Sequence, residues 1–435
     1  MRDGVWLGAV LISTALLAPR IAAADGPAYA ASKMLAAEDD LDLEAMKLMG
    51  DPAVKKARAD GEKALLALVP DPTPETRGRL TQAVDEITFF GVLNGLNDDP
   101  LHPRITFVGR PGRTVKGILT LAPKGIDENP DSVYRVIPVD GSSTYLIHGK
   151  ANVPRPTVND FSVLDDDWKT VGNLAGDALK VDADGSFTIT VSPDPANGKP
   201  NYIQTRPGAN YMTIRDTLQD WSHEKPNQLT VERAGPAAPL PSREEQLKKV
   251  LTKVARYFTE TVKLHSRVMA LPVNTFPTPA TAVTGGQLVT QAYAGGHFKL
   301  EKGQALVVTI QPGDAKYVTM PLTNLWGTTM DPIRHTSSLN LYQVVRDADG
   351  SFTVVVSPTD PGVENWLDTE GLTEGLLLPR WAAMTGDASK GKPAIDVKVV
   401  PLDALPASVA KVDATERKLL LSERAAEYDL RWTNP

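Results

Sequence analysis

The chain has 435 residues, of which 42% are hydrophobic and 23% are charged, and its formal net charge is −7. This composition is typical of a globular protein, and the length allows two or three separate cores. The absence of cysteine excludes disulfides, thiolate nucleophiles and thiolate metal sites. The acidic balance, without a basic cluster, argues against nucleic acid or anionic lipid as a partner.

The first 24 residues have the outline of a secretory signal peptide. Arg2 opens a short n-region, residues 5–17 are apolar, and three alanines precede Asp25. The apolar run is shorter than the roughly 20 residues that a membrane-spanning helix needs. We therefore expect a periplasmic or secreted bacterial protein with no membrane span after the signal is removed. A retained N-terminal anchor is the alternative.

The rest of the chain alternates between helical and β patterns. Short alternating stretches separated by glycine and proline clusters predict two β-modules, and apolar residues at helical spacing predict the segments around them. The segments that we predict are a signal peptide 1–24, a helical N-terminal segment 25–97, β-sandwich module 1 at 98–235, a linker and connecting helix 236–282, β-sandwich module 2 at 283–402, and a C-terminal helical tail 403–435.

The connecting helix has the clearest local signal. Ser242 and Glu245 have the spacing of a capping box, and apolar residues follow at helical spacing from Leu247 to Val262. The segment follows a proline-rich stretch that is typical of a stiff linker. We expect one amphipathic helix that joins the two modules and packs against one of them.

A repeated phrase relates the two β-modules. Residues 182–193 read DADGSFTITVSP and residues 347–358 read DADGSFTVVVSP. Asp-Ala-Asp-Gly is typical of a tight turn, and the alternating residues after it predict a half-buried strand. An Asn and an Arg follow each copy, Asn201 with Arg215 and Asn365 with Arg380, at separations of 14 and 15 residues. We therefore predict a mainly β protein with two related sandwich modules, in which Phe187 and Phe352 are equivalent.

Several stretches resemble a known bacterial family. They are DADGSFTVVVSP, DPGVENWLDTEG and GLLLPRW in module 2, and TIRDTLQDW followed by LTVERAG in module 1. Together they resemble the family called domain of unknown function 1214, over most of residues 85–402. The resemblance implies jelly-roll-like β-sandwich structure and export, and it implies no activity.

The densest polar cluster is the segment 324–340, which we call the rim loop. It reads NLWGTTMDPIRHTSSLN and lies between two strand-like stretches. An aromatic face beside charged and amide groups suits a sugar or a carboxylate-bearing ligand. The ligand-binding residues that we predict are Asn324, Trp326, Arg334, His335, Asn340, Asn365 and Arg380. The alternative is that Asp331 and Arg334 pair to hold the loop, with Trp326 in the core.

Whether the protein is an enzyme stays open at this point. If it is one, the available groups favour acid–base chemistry by paired carboxylates, and Asp331 with Asp368 is the first catalytic pair to test. Asn365 and Arg380 also have a structural explanation, because module 1 holds equivalent residues. The six histidines form no metal-binding motif, so we predict no metal and no cofactor, with a metal-dependent hydrolase as a third hypothesis.

We predict that the chain is an exported protein that binds a carbohydrate-like or small polar organic ligand at the rim loop. If it is an enzyme, it hydrolyses or otherwise processes that ligand. The alternative is a non-catalytic structural or interaction protein of the cell envelope. The partners that we expect are a small molecule or carbohydrate and a second copy of the chain. Convergence of Trp326, Asp331, Arg334 and Asn340 on an open pocket would favour the first hypothesis.

Overall fold

The computed structural model describes residues 33–281, 291–385 and 391–432, so the predicted signal peptide lies outside the described residues. Over these ranges the chain is mostly β, with seven α-helices and 22 strands. None of the helices described is both long enough and apolar enough to cross a membrane.

Five helices precede the first module, one joins the two modules and one follows the second. Their bounds are α1 Lys33–Ala36, α2 Asp39–Leu48, α3 Pro52–Leu68, α4 Pro74–Gly78, α5 Leu80–Leu96, α6 Arg243–Met269 and α7 Ala414–Leu430. A short 3-10 turn, Leu402–Ala404, precedes α7.

The connecting helix α6 begins at the capping box that the sequence predicts. The Ser242 hydroxyl accepts a hydrogen bond from the Glu245 backbone N–H at 3.3 Å, and the Glu245 carboxylate accepts one from the Ser242 N–H at 2.8 Å. Both bonds satisfy backbone donors that a helix N-terminus otherwise leaves without partners. The predicted start of the connecting helix is confirmed.

Helices α5 and α6 touch almost backbone to backbone. A Cβ atom added at Gly95 would lie 2.3 Å from Cα of Val250, and one added at Gly91 would lie 2.7 Å from Cα of Val254. Only glycine allows this approach, because any larger side chain would separate the helices. The contact fixes α6 on the N-terminal helices, and one apolar core fills the space around it.

Module 1 contains two antiparallel sheets and a hairpin. The strands are β1 Thr106–Val108, β2 Thr114–Val115, β3 Ile118–Leu119, β4 Ser132–Pro138, β5 Thr144–Lys150, β6 Val158–Asp165, β7 Thr170–Ala175, β8 Ser186–Ser192, β9 Tyr202–Gln204, β10 Ala209–Thr217 and β11 Gln228–Ala234. One sheet has the order β1-β4-β10-β6-β7, the other has the order β11-β5-β8-β9, and β2 pairs with β3. In the second sheet, β9 joins β8 in parallel.

Module 2 also contains two sheets, but the strands at the edges of its larger sheet differ from those of module 1. Its strands are β12 Ala280–Thr281, β13 Ala292–Tyr293, β14 Gly296–Lys299, β15 Gln304–Gln311, β16 Ala315–Thr323, β17 Ser338–Asn340, β18 Phe352–Ser357, β19 Trp366–Asp368, β20 Glu374–Leu377, β21 Arg380–Met384 and β22 Ala394–Pro401. One sheet has the order β12-β13-β21-β16-β20-β14, with β17 paired to β16, and the other has the order β19-β18-β15-β22.

Each pair of sheets encloses its own apolar core, as a β-sandwich requires. Phe187 of β8 packs with Phe161 of the facing sheet in module 1, with ring centroids 6.3 Å apart. Phe352 of β18 is fully buried in the core of module 2, where Trp381 of the facing sheet also lies. The two phenylalanines therefore occupy equivalent strands, as the repeat predicts.

The repeated segments also share their hydrogen bonds. The Asn201 side chain donates to the Lys180 carbonyl and accepts from its N–H, both at 2.8 Å. The Asn365 side chain makes the same two bonds with Val345, at 2.7 and 2.9 Å. Each asparagine thus fixes the loop before its turn, and each precedes a strand that pairs in parallel with the repeat strand.

A buried carboxylate joins the two modules. Asp131 is fully buried and accepts hydrogen bonds from Trp221 in module 1 at 2.8 Å and from Tyr317 and Asn340 in module 2 at 2.6 and 3.0 Å. A buried carboxylate needs such donors, because burial without partners costs several kcal/mol. The predicted fold class, two related sandwich modules with a helical N-terminal segment, a connecting helix and a C-terminal helix, is confirmed. The segment boundaries stay predictions.

Candidate functional site

A cavity of about 590 Å³ lies where the N-terminal helices, residues 109–130 and the rim loop meet. We call it the rim cavity. Its carboxyl, histidine, lysine and arginine lining residues are Arg79, Glu86, Arg113, Lys124, Glu128, Asp331, Arg334, His335 and Glu370. Helix α5 supplies Glu86, the loop before β4 supplies Lys124 and Glu128, and module 2 supplies the last four.

Lys124 stands among the carboxylates of this cavity. Its Nζ donates to the Thr329 carbonyl at 3.2 Å. Burial lowers the pKa of Lys124, but the charges of Glu86, Asp331 and the other carboxylates outweigh it, so the pKa is raised overall. Lys124 therefore keeps its positive charge at neutral pH and holds the carboxylates around it.

Two carboxyl groups of the cavity are buried and hold their protons more strongly than usual. Burial raises the pKa of Glu128 to about 7, although the Gly125 N–H donates to its carboxylate. Burial likewise raises the pKa of Glu86, which accepts a hydrogen bond from Gln82 at 3.0 Å. Desolvation disfavours the charged form of an acid, so Glu128 titrates near neutral pH.

Asp331 has the opposite shift in the same cavity. Burial raises its pKa, but Lys124, the Ile333 backbone N–H and Arg334 outweigh burial, so the pKa is lowered overall. The Ile333 N–H donates to Oδ1 at 2.8 Å, and Arg334 Nε donates to Oδ2 at 2.6 Å. Asp331 is therefore ionised at neutral pH.

Glu370 connects the rim loop to the N-terminal helices. One carboxylate oxygen accepts from the Asp331 backbone N–H at 2.5 Å, and the other lies 3.0 Å from Arg79. Asp331 and Glu370 are thus held at one wall of the cavity by backbone and side-chain bonds together.

Four of the residues predicted from the sequence lie at this cavity. Asn324, Asp331, Arg334 and His335 line it. Asp368 accepts a hydrogen bond from His335 Nδ1 at 2.7 Å, and this bond raises the pKa of His335. Asp368 therefore orients His335 and does not itself line the cavity. The ion pair of Asp331 with Arg334, which the alternative interpretation of the rim loop predicts, is present.

Four other predicted residues lie elsewhere. Trp326 is fully buried in the helical core, where its Nε1 donates to the Thr76 carbonyl at 2.7 Å. Asn340 bonds to Asp131 at the junction of the modules, and Asn365 fixes the loop at Val345. Arg380 donates to the Asp127 carbonyl and lines a second cavity. Trp326 thus does not give the rim cavity the aromatic face that the sequence suggested, because its ring packs in the core; the aromatic residue that lines the cavity is Tyr428.

Sequence reasoning missed Glu86, Lys124 and Glu128. Glu86 lies in α5 next to Asp85, and only the fold shows that Glu86 is the buried one of the two. Lys124 and Glu128 lie in a loop with no motif, and only the fold brings them beside the rim loop. Across the described ranges, no three His, Asp or Glu side chains are grouped as metal ligands would be.

Comparisons with other proteins bear on the fold. An uncharacterized protein from Burkholderia cenocepacia has a similar structure, with a TM-score of 0.71 and 23% sequence identity, over 84% of this chain and 100% of that one. A protein from Vibrio parahaemolyticus, at 11% identity over 73% of this chain and 99% of that one, has a TM-score of 0.41, which is too low to carry an argument. No curated protein matches this chain.

A family model matches two segments of the chain. Residues 135–216 and 323–377 match the family described as "Protein of unknown function (DUF1214)". Each segment contains one copy of the repeated turn and strand, and the second contains the rim loop. The resemblance predicted from the sequence is confirmed: over these two segments the chain is similar to this family of unknown function.

Proposed function

We propose that this chain is an exported protein that binds a carbohydrate-like or small polar organic ligand in the rim cavity and processes it by proton transfer. The observation that carries the proposal is the presence of Glu128 and Asp331 in one cavity, with pKa values moved in opposite directions. Two carboxyl groups whose pKa values differ in this way, one raised and one lowered, are suited to act as acid and base near neutral pH.

The polar groups of the cavity suit a hydroxyl-rich ligand. Four carboxyl groups and four Arg or Lys side chains line it, so the wall offers both hydrogen-bond acceptors and hydrogen-bond donors. A hydroxyl group both donates and accepts hydrogen bonds, and it therefore suits a wall with both kinds of partner. The volume of about 590 Å³ lies within the range of small-molecule sites.

The roles follow from the protonation states. Glu128, with a pKa of about 7, holds a proton for donation to a leaving oxygen. Asp331 is ionised and is suited to be the base or the nucleophile, while Lys124 stabilises negative charge beside it. The sequence predicted Asp331 and Asp368 as the catalytic pair. This assignment retains Asp331, but Glu128 takes the place of Asp368, which is hydrogen-bonded to His335.

Thermal unfolding with and without neutral sugars tests the binding. Glucose, N-acetylglucosamine and trehalose are suitable probes, because a ligand that binds only the native state raises the melting temperature. We expect a concentration-dependent rise for the wild type that Asp331→Asn and Glu128→Gln reduce, and that exposed Glu301→Gln retains. Product formation followed by NMR should then decrease as the pH rises above 7, because Glu128 loses its proton.

The scaffold hypothesis has one observation in its favour. Trp326 and Asn340, predicted to face a ligand, are buried and bonded within the protein. If none of the sugars raises the melting temperature, and Asp331→Asn changes only stability, the scaffold hypothesis replaces the proposal.

Export is proposed from the sequence of residues 1–24 alone. Cell fractionation of the full-length chain, compared with a chain that starts at Asp25, tests it. Equal amounts of the two chains in the cytoplasm would contradict export.

A further inference from the structure

A second cavity, of about 400 Å³, lies between module 1, the connecting helix and module 2. We call it the central cavity, and we propose that it binds an amphipathic organic monocarboxylate, with an aromatic or alkyl body and one carboxylate group. Glu128 lines both cavities, but this proposal does not depend on the function proposed for the rim cavity, because the other lining residues and the ligand class differ.

The central cavity is built from all three parts of the fold. Tyr134 and Tyr211 come from the first sheet of module 1, Tyr257 comes from α6, and Tyr293 and Arg380 come from module 2. Small-molecule sites occur preferentially at such junctions, because neither surface alone is concave.

Aromatic rings form the apolar part of the wall. Trp168 contacts Tyr211 and Tyr257 edge to face, with ring centroids 5.8 and 6.1 Å apart. Tyr257 packs on Phe90 of α5 at 4.2 Å, so the rings are held by their neighbours. Rings fixed in this way offer flat apolar surface at a low cost in conformational entropy.

Several polar atoms of the wall are buried and have no hydrogen-bond partner among the described residues. Four of them can donate: Trp168 Nε1, Tyr211 OH, Thr213 Oγ1 and Arg380 Nε. Thr213 is only 7% exposed, so solvent does not readily replace the missing partner. One acceptor, Asp127 Oδ2, is also without a partner, while its Oδ1 bonds to His265 at 2.9 Å.

Buried polar groups without partners are rare, because each lost hydrogen bond destabilises the fold. A set of donors around one apolar cavity is therefore best explained by a ligand that supplies acceptors. A carboxylate offers two oxygens and about four acceptor positions, which a hydroxyl or an amide does not match.

The charged side chains of the wall also favour an anionic ligand, because arginines outnumber carboxylates there. Arg135, Arg215, Arg267 and Arg380 line the cavity, against the carboxylates of Asp127 and Glu128. Arg135 is paired with Asp216 at 2.8 Å, and Asp160 lies 3.7 Å from Arg215. Among the described residues, no carboxylate forms an ion pair with Arg380. Arg267 also forms no ion pair with a described carboxylate, but it is exposed to solvent, so the less exposed guanidinium of Arg380 is the group suited to a charge-assisted bond with a ligand carboxylate.

The test compares an acid with its neutral amide. Isothermal titration calorimetry with 3-phenylpropionate, octanoate and 3-phenylpropionamide measures binding. We expect at least one of the two carboxylates to bind the wild type, and the amide to bind at least tenfold more weakly than 3-phenylpropionate.

Three variants locate the site. Arg380→Gln should weaken carboxylate binding at least tenfold. Tyr211→Phe and Thr213→Val remove only unpartnered hydroxyl groups, so each should weaken binding several-fold while the melting temperature stays equal or rises. Exposed Glu301→Gln, at a residue that lines neither cavity, should bind as the wild type does.

Three results would overturn the proposal: neither carboxylate binds the wild type, the amide binds as tightly as the acid, or none of the variants changes the affinity. If Arg380→Gln does not fold, Tyr211→Phe and Thr213→Val still decide the matter. Because the probes are acids and not sugars, a negative result here leaves the test of the rim cavity intact.

Discussion

Replacing Glu128 by Gln should stabilise the folded protein, and more strongly at pH 8 than at pH 5. Glu128 is 8% exposed, and burial raises its pKa from the ordinary 4.5 to about 7. Between these two values the folded protein holds a proton that the unfolded chain has released. Stability therefore falls as the pH rises through this window and stays reduced above it.

The size of the effect follows from the same two values. Each pKa unit corresponds to about 1.4 kcal/mol, so keeping Glu128 ionised in the folded protein at pH 8 costs roughly 3 kcal/mol. Gln has the same shape and its carbonyl oxygen can still accept from the Gly125 N–H, as the carboxylate does. The variant should lose the cost of burying the charge and keep this bond.

Urea unfolding at pH 5, 6, 7 and 8 measures the difference in free energy of unfolding between the variant and the wild type. The difference between variant and wild type is used because burial also raises the pKa of Glu38 to about 7. Glu38 makes the same contribution to the pH dependence of stability in both proteins, so that contribution cancels. The control Glu301→Gln should show no such trend with pH. A difference that is equal at pH 5 and pH 8 would refute the proposed burial of the charge.

Two further pairs of variants test the fold. Gly95→Ala should destabilise the protein by about 1–3 kcal/mol in urea unfolding, because its Cβ would lie 2.3 Å from the facing helix, whereas Gly78→Ala, with nothing within 4 Å, should be neutral or slightly stabilising. Asn365→Ala should cost about 3 kcal/mol in thermal unfolding, because three partly buried hydrogen bonds from the side chain to backbone groups are lost. Asn201→Ala should cost only about 1 kcal/mol, because water reaches its two exposed bonds. Equal effects within either pair would contradict these packing arguments.

The architecture could be predicted because its signals are local. The turn and strand that follow Asp182 and Asp347 need only residues close in sequence, so both copies fold as expected. The start of α6 depends on a hydrogen bond between Ser242 and Glu245, which are only three positions apart. Signals of this kind survive in one sequence without knowledge of the partner surface.

The sites could be predicted only in part, because their residues are distant in sequence. The rim loop indicated Asp331 and Arg334 correctly as members of a polar cluster. It could not indicate that Glu86 and Glu128, which precede the loop by more than 190 positions, complete that cluster. Trp326 shows the reverse problem: a ring beside polar residues is suited to a ligand face, but the nearby helices bury it.

The two repeat-end arginines show how the duplication bears on the central cavity. Arg215 and Arg380 follow their asparagines at similar distances, which suggested a shared structural role. In the fold, both line the same cavity, one from each module. Arg215 stacks on Tyr134 at 5.8 Å, whereas Arg380 donates to a loop carbonyl and leaves one nitrogen without a partner. Two related modules placed against one helix thus bring equivalent positions together, and the difference between the two arginines leaves Arg380 available to a ligand.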